Sequence, residues 1–234
     1  MMRKKRRIVG IIQARMGSRR LPNKSMLLLH GYPIVEWVFR RTAKAQLLDD
    51  IGFAIPDIDR DDRLAVFLKG LSVDLFRGSE LDLIGRFYHA SKEWGATHIV
   101  RITADCPFVS GEEIDRLIEF YNSGDYDYAY NHIPLNNHYP DGIGAEILSF
   151  DVLGELNEKA TDSYDREHVS TYIRSNSKNF KIGTFDPKDP RLHYPAIKLD
   201  VDTKSDYKKL SELDVTMDMD AHEIITAARV LTWD

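Results

Sequence analysis

The chain has 234 residues, of which 43% are hydrophobic and 29% charged, and its formal net charge is −5 at pH 7. This composition predicts one globular domain over residues 1–234. No apolar run approaches the about 20 residues of a membrane span, and no signal-peptide core is present. We therefore expect a cytoplasmic protein without a membrane partner. The acidic balance argues against nucleic acid as a partner, so the basic residues among positions 1–7 are expected to form a solvated tail.

A loop rich in cations follows the first predicted strand, residues 8–12. It contains a glycine, a serine, three arginines and a lysine, and it precedes an amphipathic stretch at 33–45 that predicts a helix. Such a loop places cations and backbone N–H groups at the carboxyl edge of a sheet, where open α/β folds bind phosphorylated ligands. Neither G-x-x-x-x-G-K-[ST] nor G-x-G-x-x-G occurs, so a nucleotide site here belongs to neither of those families.

Strand and helix patterns alternate along the rest of the chain. Strands are predicted at 51–55, 73–76, 97–103, 126–131, 145–150, 181–185 and 196–201. Helices are predicted at 61–71, 80–94, 111–121, 165–176, 205–213 and 221–231. This alternation indicates crossover connections and a largely parallel sheet with helices on both faces.

Carboxylates end two of the predicted strands. Asp105 follows the apolar strand at 97–103, and Asp200 and Asp202 end the strand at 196–201, where alternation puts both on one face. Carboxylates beside a cationic phosphate loop suit Mg²⁺, which binds one or two carboxylates together with the phosphate oxygens of a nucleotide. For Asp200 or Asp202 the alternative is a helix cap near residue 204.

Other reactive side chains have simpler interpretations. Cys106, the single cysteine, excludes an intrachain disulfide and is expected to be a buried structural thiol rather than a nucleophile. His132 and His138 lack a third ligand at a metal-binding spacing. Four tyrosines are expected in the core or at a dimer interface, namely Tyr121, Tyr126, Tyr128 and Tyr130. Arg19 either points at the ligand or faces solvent.

Six ordered segments resemble the spore-coat polysaccharide biosynthesis protein F family of cytidylyltransferases. They are GIIQARMGSRRLPNK, LFRGSELDLIGRFYHA, IVRITADCPFV, YPDGIGAEILSF, REHVSTYI and LDVDTKSDYKKL. That family is related to the acylneuraminate and 3-deoxy-manno-octulosonate cytidylyltransferases. The resemblance covers essentially the whole chain and implies one α/β domain, Rossmann-like and of the nucleotide-diphospho-sugar-transferase type, with a mixed, mostly parallel sheet flanked by helices.

The resemblance also implies the reaction CTP + sugar → CMP-sugar + pyrophosphate, with Mg²⁺ as cofactor held by Asp105 and Asp202. It implies nucleotide-binding roles for Ala14, Arg15, Gly17, Ser18, Arg20, Lys24, Arg77, Gly78, Ser79, Asp82 and Asp105. Catalytic roles fall to Arg15, Arg20, Lys24, Asp105 and Asp202. The residues implied to face the sugar are Asp141, Gly142, Glu146, Arg166, Glu167 and His168.

The chemistry agrees with these roles, because a hydroxyl that attacks a polyanion and a departing pyrophosphate both require cations nearby. No side chain is clearly a general base; His168 is a candidate whose alternative is a surface or packing role. We expect an acidic sugar destined for surface glycans. A non-sugar alcohol or phosphonate as acceptor, and an inactive nucleotide-binding subunit, are the alternatives.

The resemblance further implies a homodimer. Related enzymes pair their subunits through a segment between the two halves of the sheet, which corresponds here to residues 127–140 within a dimerisation and sugar-facing region at about 127–148.

Overall fold

Nine strands and nine α-helices make up residues 5–233, the part of the chain that the computed structural model describes. The strands are β1 (Ile8–Gln13), β2 (Leu28–Leu29), β3 (Tyr32–Pro33), β4 (Asp50–Pro56), β5 (Asp74–Gly78), β6 (His98–Thr103), β7 (Tyr128–Tyr130), β8 (Glu146–Ser149) and β9 (Ile182–Gly183). The helices are α1 (Ile34–Thr42), α2 (Asp62–Gly70), α3 (Leu83–Glu93), α4 (Gly111–Ser123), α5 (Phe150–Lys159), α6 (Ser163–Glu167), α7 (Thr171–Ser175), α8 (Lys204–Ser211) and α9 (Ala221–Ala228).

Seven strands form one sheet in the order β5-β4-β1-β6-β8-β7-β9. The pairs β4–β5, β1–β4, β1–β6 and β7–β9 are parallel, whereas β8 runs antiparallel to both β6 and β7. The predicted fold class, a single α/β domain with a mixed, mostly parallel sheet, is confirmed. Because β1 and β6 are adjacent and parallel, their carboxyl ends meet at one edge.

Alternation along the central strands gives the sheet two apolar faces. Ile8 and Ile12 pack in one core with α1, α2 and α4, while Val9 and Ile11 pack in the other with α3 and α5. A third apolar cluster joins α8 and α9 to the outer side of α1 and to the β2–β3 hairpin. Helices therefore cover both faces of the sheet, and its strand ends are left for a site.

The predicted strand at 196–201 is wrong. This segment is extended but makes a single bridge, between Asp141 and Lys198. The pairing stops there because the partner chain turns at Gly142, whose φ is +90°. The extended chain instead continues toward β6, where Val201 N–H donates to the Asp105 carbonyl at 2.7 Å.

The helix predicted at 165–176 is broken into α6 and α7. His168 between them has an extended backbone (φ −133°, ψ 100°), and its carbonyl accepts hydrogen bonds from both the N–H and the hydroxyl of Thr171. Helix α5 was not predicted, although Ser149 caps its first turn by accepting from Val152 N–H. The break at His168 matters for the site described below.

The structure bears on two further predictions, one about the basic tail and one about membrane-spanning segments. Arg7, assigned to the basic tail, pairs with Asp50 at 2.7 Å and so contacts the domain, whereas residues 1–4 lie outside the described residues. Within residues 5–233, no helix combines the length and the apolar character needed to cross a bilayer.

Trp37 on α1 provides a test of the third cluster. The side chain is fully buried against Phe108, and its Nε1–H donates to the Leu29 carbonyl at 2.6 Å. Trp37→Ala should lower the free energy of unfolding by about 4 kcal/mol, because it leaves a cavity and an unpaired carbonyl. Urea unfolding measures this loss. The control Val66→Ala, at an exposed position of α2, should change stability by less than about 0.5 kcal/mol; equal losses in both variants would contradict the packing described.

Candidate active site

A cavity of about 750 Å³ lies at the carboxyl ends of β1 and β6. Seven arginine and lysine side chains line it against four carboxylates, which leaves an excess of three positive charges. The cations are Arg15, Arg19, Arg20, Lys24, Arg60, Arg86 and Arg101, and the carboxylates are Glu80, Asp105, Glu167 and Asp202. A cavity with this balance suits a polyanionic ligand.

The loop after β1 is held by hydrogen bonds on its inner side. Met16 is buried and its N–H donates to Asp61 Oδ1 at 2.7 Å, while the Ser25 hydroxyl donates to the Arg15 carbonyl at 3.1 Å. Asn23 adopts a left-handed conformation (φ 61°), and its N–H closes the loop on the Met16 carbonyl at 3.2 Å. These bonds give the loop a defined shape without using its outer polar groups.

Several backbone N–H groups of this loop have no partner within the described part of the chain. Those of Gly17, Ser18, Arg19 and Arg20 donate to no hydrogen-bond acceptor among residues 5–233. Gly17, Ser18, Arg19 and Arg20 also line the cavity. Successive unpaired N–H groups beside arginines form a concave donor surface of the kind that binds phosphate oxygens.

Lys24 connects the loop to the two carboxylates predicted as metal ligands. Its Nζ donates to Asp105 Oδ2 at 2.7 Å, to the Val201 carbonyl at 3.0 Å and to Asp202 Oδ1 at 3.2 Å. Arg20 Nη2 contacts the other oxygen of Asp202 at 2.8 Å. Burial opposes ionisation of Asp105, but Lys24 outweighs burial and holds the pKa of this carboxyl below its usual value. Both groups are therefore charged at neutral pH.

The donor set fits a divalent cation. The single ammonium group of Lys24 contacts both Asp105 and Asp202, so the two carboxylates are close enough to share one cation. Asp200 Oδ1 nearby is buried and has no hydrogen-bond partner among the described residues. Carboxylate oxygens arranged in this way are the ligands that Mg²⁺ prefers.

The helix-cap alternative for Asp200 and Asp202 is wrong. Thr203 caps α8, and Asp206 completes the capping box by accepting from the Thr203 N–H. Asp200 instead contacts Lys198 Nζ at 3.3 Å. Burial and the neighbouring carboxylates raise the pKa of Asp200 to about 6 and that of Asp141 to about 7. Asp141, predicted to face the sugar, is not part of the cavity lining.

The segment predicted to contact the nucleoside lies only partly at the cavity. Arg77 points to Asp57 and Asp62, at 3.1 and 2.7 Å, and does not line the cavity. Gly78 and Ser79 line an adjoining recess that shares Glu80 and Leu81 with the cavity. Asp82 caps α3 by accepting from Gly85 N–H at 2.8 Å.

The break between α6 and α7 brings two predicted residues to the cavity wall. Glu167 and His168 both line the cavity, and Glu167 Oε1 contacts Arg15 Nη1 at 3.1 Å. Arg166, also predicted, points away and forms an ion pair with Asp82, which ties α6 to the start of α3. Of the three residues predicted here, Glu167 and His168 therefore line the cavity, whereas Arg166 holds α6 in place.

Glu146 is a supporting residue in this structure rather than part of the cavity wall. It is 1% exposed and forms an ion pair with Arg101 on the neighbouring strand, and it accepts a hydrogen bond from the Tyr128 hydroxyl. Arg174 Nη2 and His132 Nε2 each lie 3.6 Å from Glu146 Oε1. Despite its burial, Arg101 and His132 keep the pKa of Glu146 far below its usual range.

Sequence reasoning missed three arginines of the cavity, which are Arg60, Arg86 and Arg101. Arg60 pairs with Glu80 and lies in a polar segment that gives no signal. Arg86 is 4% exposed; its Nη1 donates to the Ser79 carbonyl at 2.6 Å and its Nε has no partner among the described residues. Burial, together with repulsion from Arg15, lowers the pKa of Arg86 to about 10. Arg101 lies within the apolar strand β6. A charged residue inside an otherwise apolar strand or helix face is the signal that could have found Arg86 and Arg101.

The cysteine, His138 and the four tyrosines do not line the cavity, whereas Arg19 does. Cys106 is buried, and burial raises the pKa of its thiol well above the usual value, as expected of a structural thiol. His138 contacts Asp186 at 2.8 Å. No group of three or more histidine, cysteine or acidic side chains in residues 5–233 forms a ready metal cluster. Tyr121, Tyr128 and Tyr130 are buried in the core.

The chain is similar to known proteins over nearly its whole length. A family model described as cytidylyltransferase matches residues 9–226. The spore coat polysaccharide biosynthesis protein SpsF of Bacillus subtilis is 30% identical over 230 residues, which cover 94% of this chain and 92% of SpsF. The 3-deoxy-manno-octulosonate cytidylyltransferase of Bdellovibrio bacteriovorus is 34% identical over 121 residues, 49% of this chain and 46% of that enzyme. A solved cytidylyltransferase structure from Leptospira borgpetersenii has a TM-score of 0.86 at 27% identity, covering 96% of this chain and 94% of that one.

The buried His132 predicts a pH dependence of stability. Burial lowers the pKa of His132 to about 4, whereas the unfolded chain binds this proton near pH 6.5. The unfolded state therefore gains protons first as the pH falls, and stability is lost between about pH 6.5 and 4. His132→Gln should reduce the loss of unfolding free energy between pH 7.5 and 4.5 by about 2 kcal/mol. Urea unfolding at both pH values measures it, with the exposed His138→Gln as control; an unchanged pH dependence in His132→Gln would refute the burial of a neutral imidazole.

Proposed function

Because the chain belongs to the cytidylyltransferase family, we propose that it transfers CMP from CTP to a sugar, which we expect to be acidic, and releases pyrophosphate. One observation carries the proposal. A single cavity is lined by residues 17–20, whose N–H groups have no acceptor among residues 5–233, and by the cations Arg15, Arg20 and Lys24 next to Asp105 and Asp202. A triphosphate and its metal ion need these two kinds of group at the same place.

The reaction joins an acceptor hydroxyl to the α-phosphorus of CTP while the bond between that phosphorus and the bridging oxygen of pyrophosphate breaks. Negative charge grows on the leaving pyrophosphate. Lys24 would stabilise that charge as a point cation, and the guanidinium groups of Arg15 and Arg20 suit paired contacts with phosphate oxygens. The hydroxyl loses its proton in the same step. His168 lines the cavity and is the candidate base that would accept this proton.

Asp105 and Asp202 would hold Mg²⁺. When bound, the ion supplies charge neutralisation at the triphosphate oxygens and makes the acceptor hydroxyl more acidic. Lys24 contacts both carboxylates, so it would exchange these contacts for phosphate oxygens when nucleotide and metal bind. Arg20, which contacts Asp202 at 2.8 Å, would likewise exchange this contact for phosphate oxygens.

The biological role is proposed from the relatives. The similar protein of Bacillus subtilis carries a name from spore coat polysaccharide biosynthesis, and the relative from Bdellovibrio activates a sugar acid according to its name. We therefore place the product in surface-glycan assembly and the enzyme in the cytoplasm, where CTP is available. The homodimer stays a prediction; three aromatic side chains of its expected interface, Tyr128, Tyr130 and Tyr139, are buried within the chain itself.

Asp105→Asn tests the proposed chemistry. Removing this charge should lower pyrophosphate release from CTP by about 1000-fold, because the site loses a carboxylate that faces the triphosphate. The amide still accepts the hydrogen bond of Lys24, so the urea midpoint should change little. Asp186→Asn, at a surface carboxylate outside the cavity lining, should keep full activity. Activity that survives in Asp105→Asn would remove Asp105 from the mechanism.

Removal of divalent cations gives a second test. Treatment with EDTA should abolish pyrophosphate release, and Mg²⁺ or Mn²⁺ should restore it, since both ions favour oxygen ligands. In Asp202→Asn the Mg²⁺ concentration for half-maximal activity should rise about tenfold, because one of two carboxylate ligands is lost. Full activity in EDTA would refute the metal site.

A further inference from the structure

A cluster of charged and polar side chains, buried or partly buried, lies beneath the cavity, on the face of the sheet that packs against α3. We refer to Arg101, Glu146, Arg174, Tyr128 and His132 as the floor cluster. Arg101 on β6 pairs in register with Glu146 on β8, and Tyr130 on β7 continues the same row. Of the cluster, Arg101 is the member that also lines the cavity.

The floor cluster carries more positive than negative charge. Two guanidinium groups, those of Arg101 and Arg174, lie within 4 Å of one carboxylate, Glu146. His132 stays neutral at physiological pH, because burial holds its pKa near 4. Asp105, a carboxylate that lines the cavity, is already engaged by Lys24. Among the described residues, Glu146 is therefore the single carboxylate shared by the two guanidinium groups, and an anionic ligand would complete the balance of charge.

The hydrogen bonds of Arg101 leave one end of its guanidinium group free at the cavity. Its Nε donates to Gln13 Oε1 at 2.9 Å, and its Nη1 donates to Glu146. Its third nitrogen, Nη2, makes no hydrogen bond with residues 5–233. The side chain is 10% exposed, and that exposure is toward the cavity it lines. Gln13 and Glu146 thus fix the guanidinium plane and leave one end for a ligand.

Arg101 makes different contacts from the cations of the loop. The loop cations contact Asp105, Asp202 and Glu167, whereas Arg101 contacts residues of β1 and β8. A ligand whose triphosphate occupies the loop therefore leaves Arg101 available to the acceptor. A guanidinium group with an unused nitrogen discriminates well, because an uncharged ligand group in place of a carboxylate would leave the Nη2 donors without a charged acceptor.

We propose that Arg101 is the specificity-determining residue for the acceptor: its Nη2 binds the carboxylate of a sugar acid, and Glu146 and Gln13 are positioning residues that hold the guanidinium for this contact. The inference rests on the proposed cytidylyl transfer and adds to it the group that selects an anionic acceptor. It also gives Glu146 a role through Arg101 instead of a direct contact with the sugar.

The test is calorimetric titration of the CTP-loaded protein in EDTA, so that no turnover takes place. The probes are N-acetylneuraminate, 3-deoxy-manno-octulosonate and glucuronate, each compared with its own methyl ester, which removes the charge and keeps the sugar. The parent protein should bind at least one acid about tenfold more tightly than its ester, as expected for a charge-assisted hydrogen bond. Arg101→Gln should remove this preference while its affinity for CTP stays within about twofold of the parent value.

Arg174→Gln is the matched control, because Arg174 belongs to the same cluster and contacts Glu146 but does not line the cavity. It should keep the preference for the acid. Arg101→Lys retains the positive charge and serves if the glutamine variant fails to fold; it should lose part of the preference. Glu146→Gln should weaken acid binding less than Arg101→Gln and leave CTP binding unchanged.

Three results would overturn the inference: no acid bound more tightly than its ester, an unchanged preference in Arg101→Gln, or equal losses in Arg101→Gln and Arg174→Gln. A parent protein that binds CTP and prefers uncharged sugars would overturn this inference and leave the cytidylyl transfer standing. A parent protein that binds CTP neither in EDTA nor with Mg²⁺ would overturn both.

Discussion

The contact of one ammonium group with two carboxylates organises the rest of the site. Lys24 follows the loop after β1, Asp105 follows β6, and Asp202 belongs to the extended segment that crosses the strand ends. The Lys24 ammonium bonds all three parts together through Asp105, Asp202 and the Val201 carbonyl. The N–H of Val201 also donates to the Asp105 carbonyl. These segments are far apart in sequence, so the fold is needed to bring the two carboxylates to the Lys24 ammonium. The ammonium in turn stabilises the arrangement of the three segments.

Two different sets of arginines serve two parts of the ligand in this account. Arg15 and Arg20 lie on the loop, contact surface-accessible carboxylates at the cavity wall, and can move to phosphate oxygens. Arg101 is held by the buried Glu146 and by Gln13, so it cannot move far. A mobile set suits a triphosphate that becomes pyrophosphate and leaves. A fixed guanidinium suits discrimination between acceptors, because it cannot move to another partner when the acceptor offers no carboxylate, so the free-energy cost of its unused N–H donors remains.

The fold, and the meeting of the cationic loop with Asp105 at one sheet edge, could be predicted from the sequence because local patterns determine them. Two apolar runs end in the cationic loop and in Asp105. Strand periodicity identifies both runs as strands, and the carboxyl ends of parallel strands in an α/β sheet lie at the same edge. Glu146 was assigned to the sugar, but its burial behind Arg101 depends on the register of β6 against β8, which no local pattern reveals. The helix predicted at 165–176 has helical periodicity, yet tertiary contacts interrupt it at His168. Arg77 belongs to a segment that resembles the nucleoside-binding part of the family, but its side chain forms ion pairs with Asp57 and Asp62 instead of lining the cavity.

The most direct test of the central claim is calorimetric titration of the purified protein with CTP, UTP, ATP and GTP, each with Mg²⁺. This measurement requires no knowledge of the acceptor. The account predicts that CTP binds at least about tenfold more tightly than the other three, a difference of about 1.4 kcal/mol in binding free energy. Tighter binding of another triphosphate, or binding of none, would contradict it.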